Sequence, residues 1–513
     1  MKIYNGYQRT TRDYTLMTDE YEYTMAYGYL KAGKNRQEAV FDIFFRKVPN
    51  NGGYVVMAGV DKIIDYVKKF NYGKKNTAYF ERNNYPKDFI KNIKKIKHFT
   101  GDLYAIPDGT PVFPNEPVVT LRGPLEEVQL METALLAIIN GAVSHATGAR
   151  RIVESVPKGV EVYDMPLLEK LRDPKYLAVS KKIMEFGARR ADGEEAAIDS
   201  SLYAIEAGCS GTSNVLAADM VNIKALGTMA HSWVEAFPSE FEAFKCFAEI
   251  FPENCMLLVD TYDTLRSGIP NAIKVFQYMK EKGMPLNNIG IRIDSGDLAY
   301  LSKEARKMLR AAGFPQAKIC LSNALSAEKI ESLIAQGAEF DSIGVGDNIS
   351  KPEGNLGFVD KLVAIKENGI WVPKIKLSND TIKIINPDYK NLYRAYDKET
   401  GYALADVITR KNEVMPKDNL LIVSPTDPLK RKVINNYELV ELQQPIFING
   451  ELVYEDKDIF DIQRYCNEQM ERIYPEVRRT MNPQEYYVDG TEDYVNFRTE
   501  TIENVKTMCK KIG

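Results

Sequence analysis

The chain of 513 residues has few histidines, no paired cysteines and no long apolar run. Its six cysteines are scattered, without a Cys-x-x-Cys pair or a cysteine-histidine cluster of zinc spacing, which argues against structural zinc and a disulfide framework. No uncharged apolar stretch approaches the roughly 18 residues of a membrane helix, and the polar start lacks the apolar core of a signal peptide. We therefore expect a cytoplasmic protein with no membrane partner.

Basic residues do not outnumber acidic residues in this chain. The chain carries 67 Lys and Arg against 71 Asp and Glu, a formal net charge of -4. This balance offers no electrostatic footprint for nucleic acid, although a small anion can still bind locally. Hydrophobic residues at 44% and charged residues at 27% are typical of a packed globular protein, and the length predicts roughly two to four domains.

The scarcity of histidine draws attention to His231, which lies in the run GTMAHSW at residues 227–233. The only other histidines in the chain are His98 and His145. An imidazole among small hydrogen-bonding residues can act as a base, a metal ligand or a phosphate acceptor. A core histidine bonded to a backbone carbonyl is the equally open structural alternative.

The first part of the chain predicts a small domain that contains a sheet. A helix is expected within residues 14–33, with Thr18 or Asp19 at its start. Residues 106–125 alternate short β-prone runs with Pro and Gly turns, and an apolar-faced helix is expected over residues 126–140.

From about residue 160 the pattern changes to α/β. Short apolar runs end in small polar residues, and each is followed by a helix-like segment, which is typical of parallel strands with helical crossovers. In a βα barrel the carboxyl ends of the strands converge on one face, where the active site lies. The predicted strands are residues 160–163, 257–259, 289–293, 319–321 and 342–345.

The α/β pattern stops at about residue 360, and we predict three parts. The first is an N-terminal α+β domain over residues 1–147, completed by residues 360–425. The second is an α/β barrel over residues 148–359 that carries the active site. The third is a partly helical C-terminal extension over residues 426–513, whose last part looks helical.

Two predicted strands end in a pair of aspartates, Asp260 with Asp263 and Asp294 with Asp297. Four carboxylates at one barrel rim repel each other unless a cation or a cationic transition state is present. Helix N-capping is the alternative, and it suits Asp263 and Asp297 better than all four.

Arginines supply the opposite charge. Arg292 lies two residues before Asp294 within the strand GIRID, so both side chains lie on one face. An arginine pointing into a barrel needs a carboxylate or phosphate, with Asp294 as the alternative partner from the protein. Arg189 and Arg190, in FGARRADG, are expected in a loop after a helix, either solvated or binding an anion.

Two glycine-containing turns can approach a phosphate. GCSGTSNV at residues 208–215 is expected at a strand-to-helix turn whose N–H groups can cradle phosphate, although a plain helix cap at Ser213 or Asn214 explains it as well. FDSIGVGDN at residues 340–348 places two glycines around a valine after the last predicted strand.

Taken in order, these motifs resemble the nicotinate phosphoribosyltransferase family. The resemblance runs from about residue 14 to 360 and continues more loosely through KIKLSN and NPDYKNLYR. It implies a type II phosphoribosyltransferase fold, an irregular α/β barrel with an α+β domain, usually assembled as a homodimer. The matching motifs are LMTDEYEYTMAYGYLKAG, HFTGDLYAIPDGTPVFPNEPVV, FGARRADG, GCSGTSNVLA, GTMAHSW, LLVDTYDTLRSG, GIRIDSGDLA, CLSNALS and GVGDN.

The resemblance implies a reaction. Nicotinate and 5-phosphoribosyl 1-diphosphate would become nicotinate mononucleotide and diphosphate, in the first step of NAD salvage from nicotinate. ATP would be a co-substrate whose hydrolysis is coupled through a phosphorylated His231, which makes the enzyme ligase-class, and Mg²⁺ would be the cofactor.

The resemblance also implies roles for individual residues. Tyr21 would stack on the pyridine ring, while Thr228 and Arg292 would hold nicotinate and its carboxylate. Asp260 and Asp294 would face the ribose and magnesium and serve catalysis with His231. Contacts to the phosphates or diphosphate would come from Arg189, Gly227, Ser232, Gly344, Gly346 and Asp347.

Two departures from the family pattern stand out. The chain has Cys209 and Ser210 where a phenylalanine-aspartate or similar pair is more common, and Asp347 where threonine often follows GVG. An aspartate beside a phosphate is unfavourable unless it points away, binds magnesium or a ribose hydroxyl, or caps the next helix.

Two other functions fit parts of the pattern. An enzyme for nicotinamide must accept an uncharged amide, whereas an arginine clamp favours the acid because a desolvated guanidinium without an anion costs several kcal/mol. A non-catalytic barrel that binds a nucleotide or a partner protein would use the same motifs as structural caps.

Overall fold

The computed structural model describes residues 7, 9, 12–157, 167, 182–354, 356–377, 384–455 and 457–512. The chain forms two compact units. The first combines mainly Met1–Thr147 with Gly354–Gly513, and the second contains Gly148–Tyr163 and Asp173–Glu353. The strand expected at residues 160–163 lies outside the described residues. The three-part division expected from the sequence stays a prediction.

The described helices are distributed over both units. In chain order they are α1 (Glu20–Lys31), α2 (Val60–Lys69), α3 (Lys74–Arg82), α4 (Lys87–Ile93), α5 (Leu125–Gln129), α6 (Glu132–Glu154), α7 (Glu194–Glu206), α8 (Val215–Met220), α9 (His231–Glu235), α10 (Glu240–Ile250), α11 (Ile269–Glu281), α12 (Leu298–Ala311), α13 (Ala327–Ala335), α14 (Asp347–Ser350), α15 (Ile459–Glu471), α16 (Pro475–Arg478) and α17 (Glu492–Ile512). In the described part of the chain, no helix is long and apolar enough to cross a membrane.

The strands, in chain order, are β1 (Glu38–Phe44), β2 (Val55–Val56), β3 (Asp102–Ala105), β4 (Pro111–Val112), β5 (Val119–Pro124), β6 (Lys182–Glu185), β7 (Gly211–Thr212), β8 (Cys255–Leu258), β9 (Ile289–Ile293), β10 (Lys318–Leu321), β11 (Ser342–Val345), β12 (Val359–Glu367), β13 (Ile370–Pro373), β14 (Lys390–Asp397), β15 (Ala403–Arg410), β16 (Leu420–Val423), β17 (Arg431–Ile434), β18 (Tyr437–Glu441), β19 (Gln444–Ile448), β20 (Glu451–Leu452) and β21 (Val488–Thr491).

The second unit contains a parallel sheet in the order β7-β6-β11-β10-β9-β8, which curls into a half-barrel. Its strands are short apolar runs such as Ile289, Ile291 and Ile293, all buried, because helices cover a parallel sheet on its faces. The α/β fold class is therefore confirmed. Among the described residues the sheet is open, with β7 and β8 at its edges.

The first unit is built on antiparallel sheets. The two larger ones have the orders β13-β12-β1-β5-β3-β19-β20 and β17-β16-β21-β15-β14-β18, and β2 pairs with β4 in a small third sheet. Among the described pairs of these sheets, only β15 and β21 run parallel. Edge-to-face aromatic pairs lie in its core, such as Tyr23 and Phe80 with ring centroids 4.8 Å apart. This α+β region matches the additional domain that the resemblance implies.

The helices near the chain start differ in part from expectation. Helix α1 begins after Asp19, as predicted. The single helix expected over residues 126–140 is wrong, since α5 and the longer α6 are separated by Leu130 and Met131. Both residues are buried, so the apolar pattern continues through the break and hides it.

Candidate active site

Polar side chains meet at the carboxyl ends of three adjacent strands, β8, β9 and β10. Asp294 and Ser322 directly follow β9 and β10, whose register pairs Ile293 with Leu321. The backbone N–H of Asp294 donates to Asp260 Oδ2 at 3.0 Å, and the Ser295 hydroxyl donates to the same oxygen at 2.6 Å. The polar edge expected from the strand pattern is therefore present.

Arg292 lies at the centre of this edge, with only 13% of its side chain exposed. Its Nε donates to Ser322 Oγ at 2.9 Å, its Nη1 to Thr228 Oγ1 at 3.3 Å and its Nη2 to Asp294 Oδ1 at 3.0 Å. The Cζ atom lies 5.5 Å from the centroid of the Phe186 ring. Asp294, the alternative partner considered from the sequence, is thus a real partner of Arg292.

Asp260 has one carboxylate oxygen engaged and one that is not. Its Oδ1 is buried and makes no hydrogen bond within the described part of the chain. A buried carboxylate oxygen without a donor is costly, so it suits a cation or a donor from a ligand. No group of three or more His, Cys, Asp or Glu side chains among the described residues can hold a metal ion by itself.

His231 is the first residue of α9 and is half-buried. Its Nδ1 lies 3.1 Å from Thr261 Oγ1, directly after Asp260 in the chain. The ring partner is a hydroxyl and not a backbone carbonyl, so the core-histidine interpretation does not describe this environment. In the same segment Thr228 is half-buried, whereas Gly227 and Ser232 are exposed.

The second aspartate of each pair is a helix cap. Asp263 accepts hydrogen bonds from the backbone N–H groups of Leu265 and Arg266, and Asp297 accepts one from Tyr300 at 3.0 Å. These contacts satisfy orphan donors at a helix start. The capping interpretation is therefore confirmed for Asp263 and Asp297.

The arginines of FGARRADG lie elsewhere than predicted. They form a 3-10 turn, Ala188–Arg190, that follows strand β6 and not a helix, because the preceding KIME segment pairs with β7 and β11. Both arginines are exposed, and Arg190 Nε lies 3.4 Å from Asp347 Oδ1. Asp347 begins α14, where its charge suits the positive helix N-terminus.

The glycines of GVGDN differ from each other in position. Gly346 follows β11, and its carbonyl accepts the N–H of Ile349 at 3.0 Å. Gly344 lies within β11 and not after it, since β11 extends to Val345. A Cβ added to Gly344 would lie 2.2 Å from the Phe186 ring, so glycine is required there for the ring to pack.

Sequence reasoning missed Glu185, the last residue of β6. It is fully buried and accepts hydrogen bonds from Ser201 Oγ at 3.0 Å, Thr212 Oγ1 at 2.5 Å and the Gly187 N–H. Burial raises the pKa of Glu185 although these hydrogen bonds oppose the rise. The carboxyl group thus joins the turn after β6 to α7 and to the end of β7. A glutamate directly after the apolar pair Ile183 and Met184 was the available signal.

The segment GCSGTSNV was predicted as one strand-to-helix turn, but residues 208–210 precede β7, and only Ser213 and Asn214 connect β7 to α8. Asn214 caps α8 by accepting the Ala217 N–H at 3.4 Å, which confirms the capping alternative there. Cys209 is fully buried, and burial raises the pKa of its thiol. Ser210 pairs by its backbone N–H with the Ile183 carbonyl at 2.7 Å. The two departures therefore lie in the connection from α7 to β7, before the strand and not in the turn after it.

Tyr21 belongs to the first unit, where it lies on α1 with 49% of its surface exposed. Its hydroxyl donates to Glu132 Oε1 at 3.3 Å. Burial and the neighbouring Glu132 carboxyl raise the pKa of Tyr21, so the phenol stays protonated at neutral pH. An exposed aromatic ring anchored at its polar tip is suited to stacking.

Family models match most of the chain in succession. The model of the nicotinate phosphoribosyltransferase (NAPRTase) N-terminal domain matches residues 16–140, the model of the NAPRTase family matches residues 181–351, and the model of the NAPRTase C-terminal domain matches residues 389–498.

Individual relatives agree with the family models. The nicotinate phosphoribosyltransferase of Bacillus subtilis (strain 168) is 40% identical over 97% of each chain. Nicotinate phosphoribosyltransferase 1 of Arabidopsis thaliana is 33% identical over 94% of this chain and 93% of the relative. The crystal structure of human nicotinic acid phosphoribosyltransferase aligns with a TM-score of 0.79 and 26% identity, covering 94% of this chain and 99% of that chain. The chain therefore belongs to the nicotinate phosphoribosyltransferase family.

Proposed function

We propose that the protein catalyses the transfer of a phosphoribosyl group from 5-phosphoribosyl 1-diphosphate to nicotinate, forming nicotinate mononucleotide and diphosphate. The observation that carries this proposal is the largely buried Arg292, oriented at the end of β9 by Thr228, Asp294 and Ser322. A planar guanidinium held in one orientation matches a planar carboxylate. Family membership supports the same reaction.

The ring of nicotinate would lie beside Arg292, with its carboxylate on the guanidinium. Phe186 supports this arrangement because its ring already packs against the guanidinium. Nicotinamide lacks the negative charge, so it gains less from Arg292 than the acid does. The stacking role of Tyr21 stays a prediction.

Asp260 and Asp294 would face the ribose and the diphosphate of the donor. Asp260 Oδ1 fits a shared Mg²⁺, because it is buried and without a hydrogen-bond partner among the described residues. When bound, Mg²⁺ would supply positive charge that neutralises the diphosphate leaving group. Negative charge from the two carboxylates would also favour an oxocarbenium-like ribosyl group in the transition state.

The phosphates of the donor would be held by a set of glycines and polar side chains, of which Arg189, Gly227, Ser232 and Asp347 are exposed and Gly344 is buried within β11. The candidates are Arg189, Gly227, Ser232, Gly344, Gly346 and Asp347, as the family resemblance implies. Asp347 is compatible with an anion nearby because Arg190 lies beside its carboxylate.

His231 would couple ATP hydrolysis to the transfer. In the tautomer whose Nδ1–H donates to Thr261 Oγ1, the lone pair lies on Nε2, and this nitrogen would attack the γ-phosphorus of ATP. A nitrogen-phosphorus bond forms as the bond from that phosphorus to the ADP oxygen breaks, and water later takes the phosphoryl group as inorganic phosphate. NAD salvage, a homodimer and a cytoplasmic location stay predictions.

One assay tests the reaction directly. The purified protein is incubated with nicotinate, 5-phosphoribosyl 1-diphosphate and Mg²⁺, with and without ATP, and nicotinate mononucleotide is measured. We expect product in both cases and more with ATP. No product under either condition would refute the proposed activity, and faster turnover of nicotinamide than of nicotinate would assign the protein to the amide.

A second assay tests the coupling mechanism. Incubation with γ-labelled ATP should leave acid-labile, base-stable phosphate on the wild-type protein and none on His231→Asn. Wild-type protein that takes up no label, with or without diphosphate, would contradict the phosphohistidine while leaving the transferase activity to be judged by the first assay.

A further inference from the structure

We infer that Ser322 is a positioning residue that sets the preference for an acid over an amide, by fixing which edge of the Arg292 guanidinium faces the substrate. This inference rests on the proposed function. Ser322 lies in CLSNALS, one of the motifs of the family resemblance, and the sequence analysis assigned it no role of its own.

Ser322 is held firmly by the sheet. It directly follows β10, is only 3% exposed, and donates its backbone N–H to the Ile293 carbonyl at 3.0 Å. Because β9 and β10 are in parallel register there, its side chain is brought beside both Arg292 and Asp294. Its hydroxyl position is therefore set by backbone pairing and not by a flexible loop.

The hydroxyl has one proton and must donate it to one neighbour. Asp294 Oδ1 is an acceptor in contact with Ser322 Oγ, whereas the Nε–H of Arg292, at 2.9 Å, can only donate. The proton therefore points to Asp294, and an oxygen lone pair faces Arg292. Ser322 extends the charge of the Asp294 carboxylate to the Nε side of the guanidinium.

These contacts occupy one edge of the guanidinium. Ser322 Oγ takes the Nε–H, and Asp294 Oδ1 takes an N–H of the adjacent Nη2 at 3.0 Å. A guanidinium has five N–H donors, so the opposite edge, between Nη1 and Nη2, retains donors for a ligand. That edge also carries Thr228, which lies 3.3 Å from Nη1. Nη1 and Nη2 therefore each keep one N–H, and a ring carboxylate would be met by these two groups.

Removal of the Ser322 hydroxyl would open the Nε edge. The Nε–H of Arg292, which is largely shielded from solvent, would lose its hydrogen-bond acceptor. The Asp294 carboxylate would lose a hydrogen-bond donor. A substrate group could then satisfy either edge, so the geometry that distinguishes two carboxylate oxygens from one amide oxygen would be lost. The loss of a hydrogen bond to a charged group weakens substrate binding by an amount that corresponds to a rise in KM of about 10- to 100-fold.

Steady-state kinetics on the intact protein test this role. Ser322→Ala should raise the KM for nicotinate by about tenfold or more, with kcat changed less and the KM for 5-phosphoribosyl 1-diphosphate nearly constant. The ratio of kcat/KM for nicotinate to that for nicotinamide should fall. Ser322→Thr, which keeps a hydroxyl, should recover much of this ratio.

A matched control separates specificity from stability. Ser326→Ala removes a hydroxyl four residues later, which caps α13 by accepting the Lys329 N–H at 3.2 Å. It should lower the melting temperature without changing the acid-to-amide ratio. If Ser322→Ala does not fold, Ser322→Cys, whose thiol is a weak donor and acceptor, should show the same loss of preference.

The two proposals can fail separately. A wild-type protein that forms no nicotinate mononucleotide would overturn the proposed function. An active wild type whose Ser322 variants keep the nicotinate KM and the acid-to-amide ratio would overturn only the role of Ser322. Equal rises in the KM values of nicotinate and the phosphoribosyl donor would also overturn it, since they would indicate general distortion of the site.

Discussion

Arg292 is the cation around which the polar strand ends of the second unit are arranged. Its alternation with Asp294 was visible in the strand GIRID, because residues two apart on a strand share a face. Its bonds to Ser322 and Thr228 join residues 30 and 64 positions away. The strand face on which the Arg292 side chain lies was therefore predictable, but the direction in which its guanidinium points was not.

Arg292→Ala should raise the KM for nicotinate by at least about 30-fold, because it removes the charged partner of the ring carboxylate. The KM for 5-phosphoribosyl 1-diphosphate should change far less. Steady-state kinetics with each substrate varied in turn provide the measurement. Arg310→Ala removes a cation that is 59% exposed on α12 and serves as the control. Equal effects on both KM values would argue against the clamp.

Gly344→Ala should destabilise the protein by about 1–3 kcal/mol, since the new methyl group would overlap the Phe186 ring and force it to move. The nicotinate KM should rise as well, because that ring packs against Arg292. Urea unfolding of the variant tests the first expectation. Gly227→Ala is the control for stability, since a Cβ there meets no atom within 4 Å. Similar unfolding midpoints for the two variants would contradict the packing argument.

At the scale of elements, the connections from strand to helix combine two kinds of aspartate. Asp263 and Asp297 lie at the helix end of their connections, where they cap the helix that follows. Asp260 and Asp294 lie at the strand end, where the Asp294 N–H donates to the Asp260 carboxylate. The capping pattern was predictable because it is local. The contact between the Asp294 N–H and the Asp260 carboxylate depends on the pairing of β8 with β9.

Asp297→Ala should therefore cost about 1 kcal/mol of stability, by leaving a backbone donor at the start of α12 without its partner. The KM values for nicotinate and the phosphoribosyl donor should stay close to those of the wild type. Thermal unfolding and kinetics on the same preparation provide both numbers, with Asp297→Asn as the variant that keeps the cap. A large kinetic effect with unchanged stability would move Asp297 into the reaction chemistry.

At the scale of the whole molecule, the first unit is assembled from distant parts of the chain. Strand β1 pairs with β12, so that Ala39 lies opposite Ile365, and β3 pairs with β19. The sequence predicted only a small domain with a sheet near residues 106–125, because such distant pairings leave no local signal. Parallel strands in the second unit were easier to predict, since each is followed by its own helix.

Buried carboxyl groups in the first unit make its stability depend on pH. Burial raises the pKa of Glu22 from 4.5 to about 7, although a hydrogen bond from Gln129 opposes the rise. Burial likewise raises the pKa of Asp489 to about 6. Between the ordinary and the raised pKa the folded protein keeps a proton that the unfolded chain has released, so the free energy of unfolding falls as pH rises through this window.

Glu22→Gln removes the titrating group and should weaken this pH dependence. Between pH 4.5 and 7 the wild type should lose on the order of 3 kcal/mol more stability than the variant. Urea unfolding at pH 5 and pH 8 measures the difference. Glu20→Gln, which removes an exposed carboxyl from the same helix, should follow the wild type. Parallel pH profiles for wild type and Glu22→Gln would contradict the argument.

The sequence by itself determined the α/β character of the second unit, the two capping aspartates, and a family membership carried by many motifs in order. These features depend on the periodicity of hydrophobic residues and on neighbours in the sequence, so they can be found without the tertiary structure. The tertiary structure decided the strand pairing of the first unit, the contacts of the buried Glu185 with α7 and β7, and the edge of Arg292 that Ser322 and Asp294 occupy. These features depend on hydrogen bonds between neighbouring elements. The bonded residues lie too far apart in the chain to be predicted from a local sequence pattern.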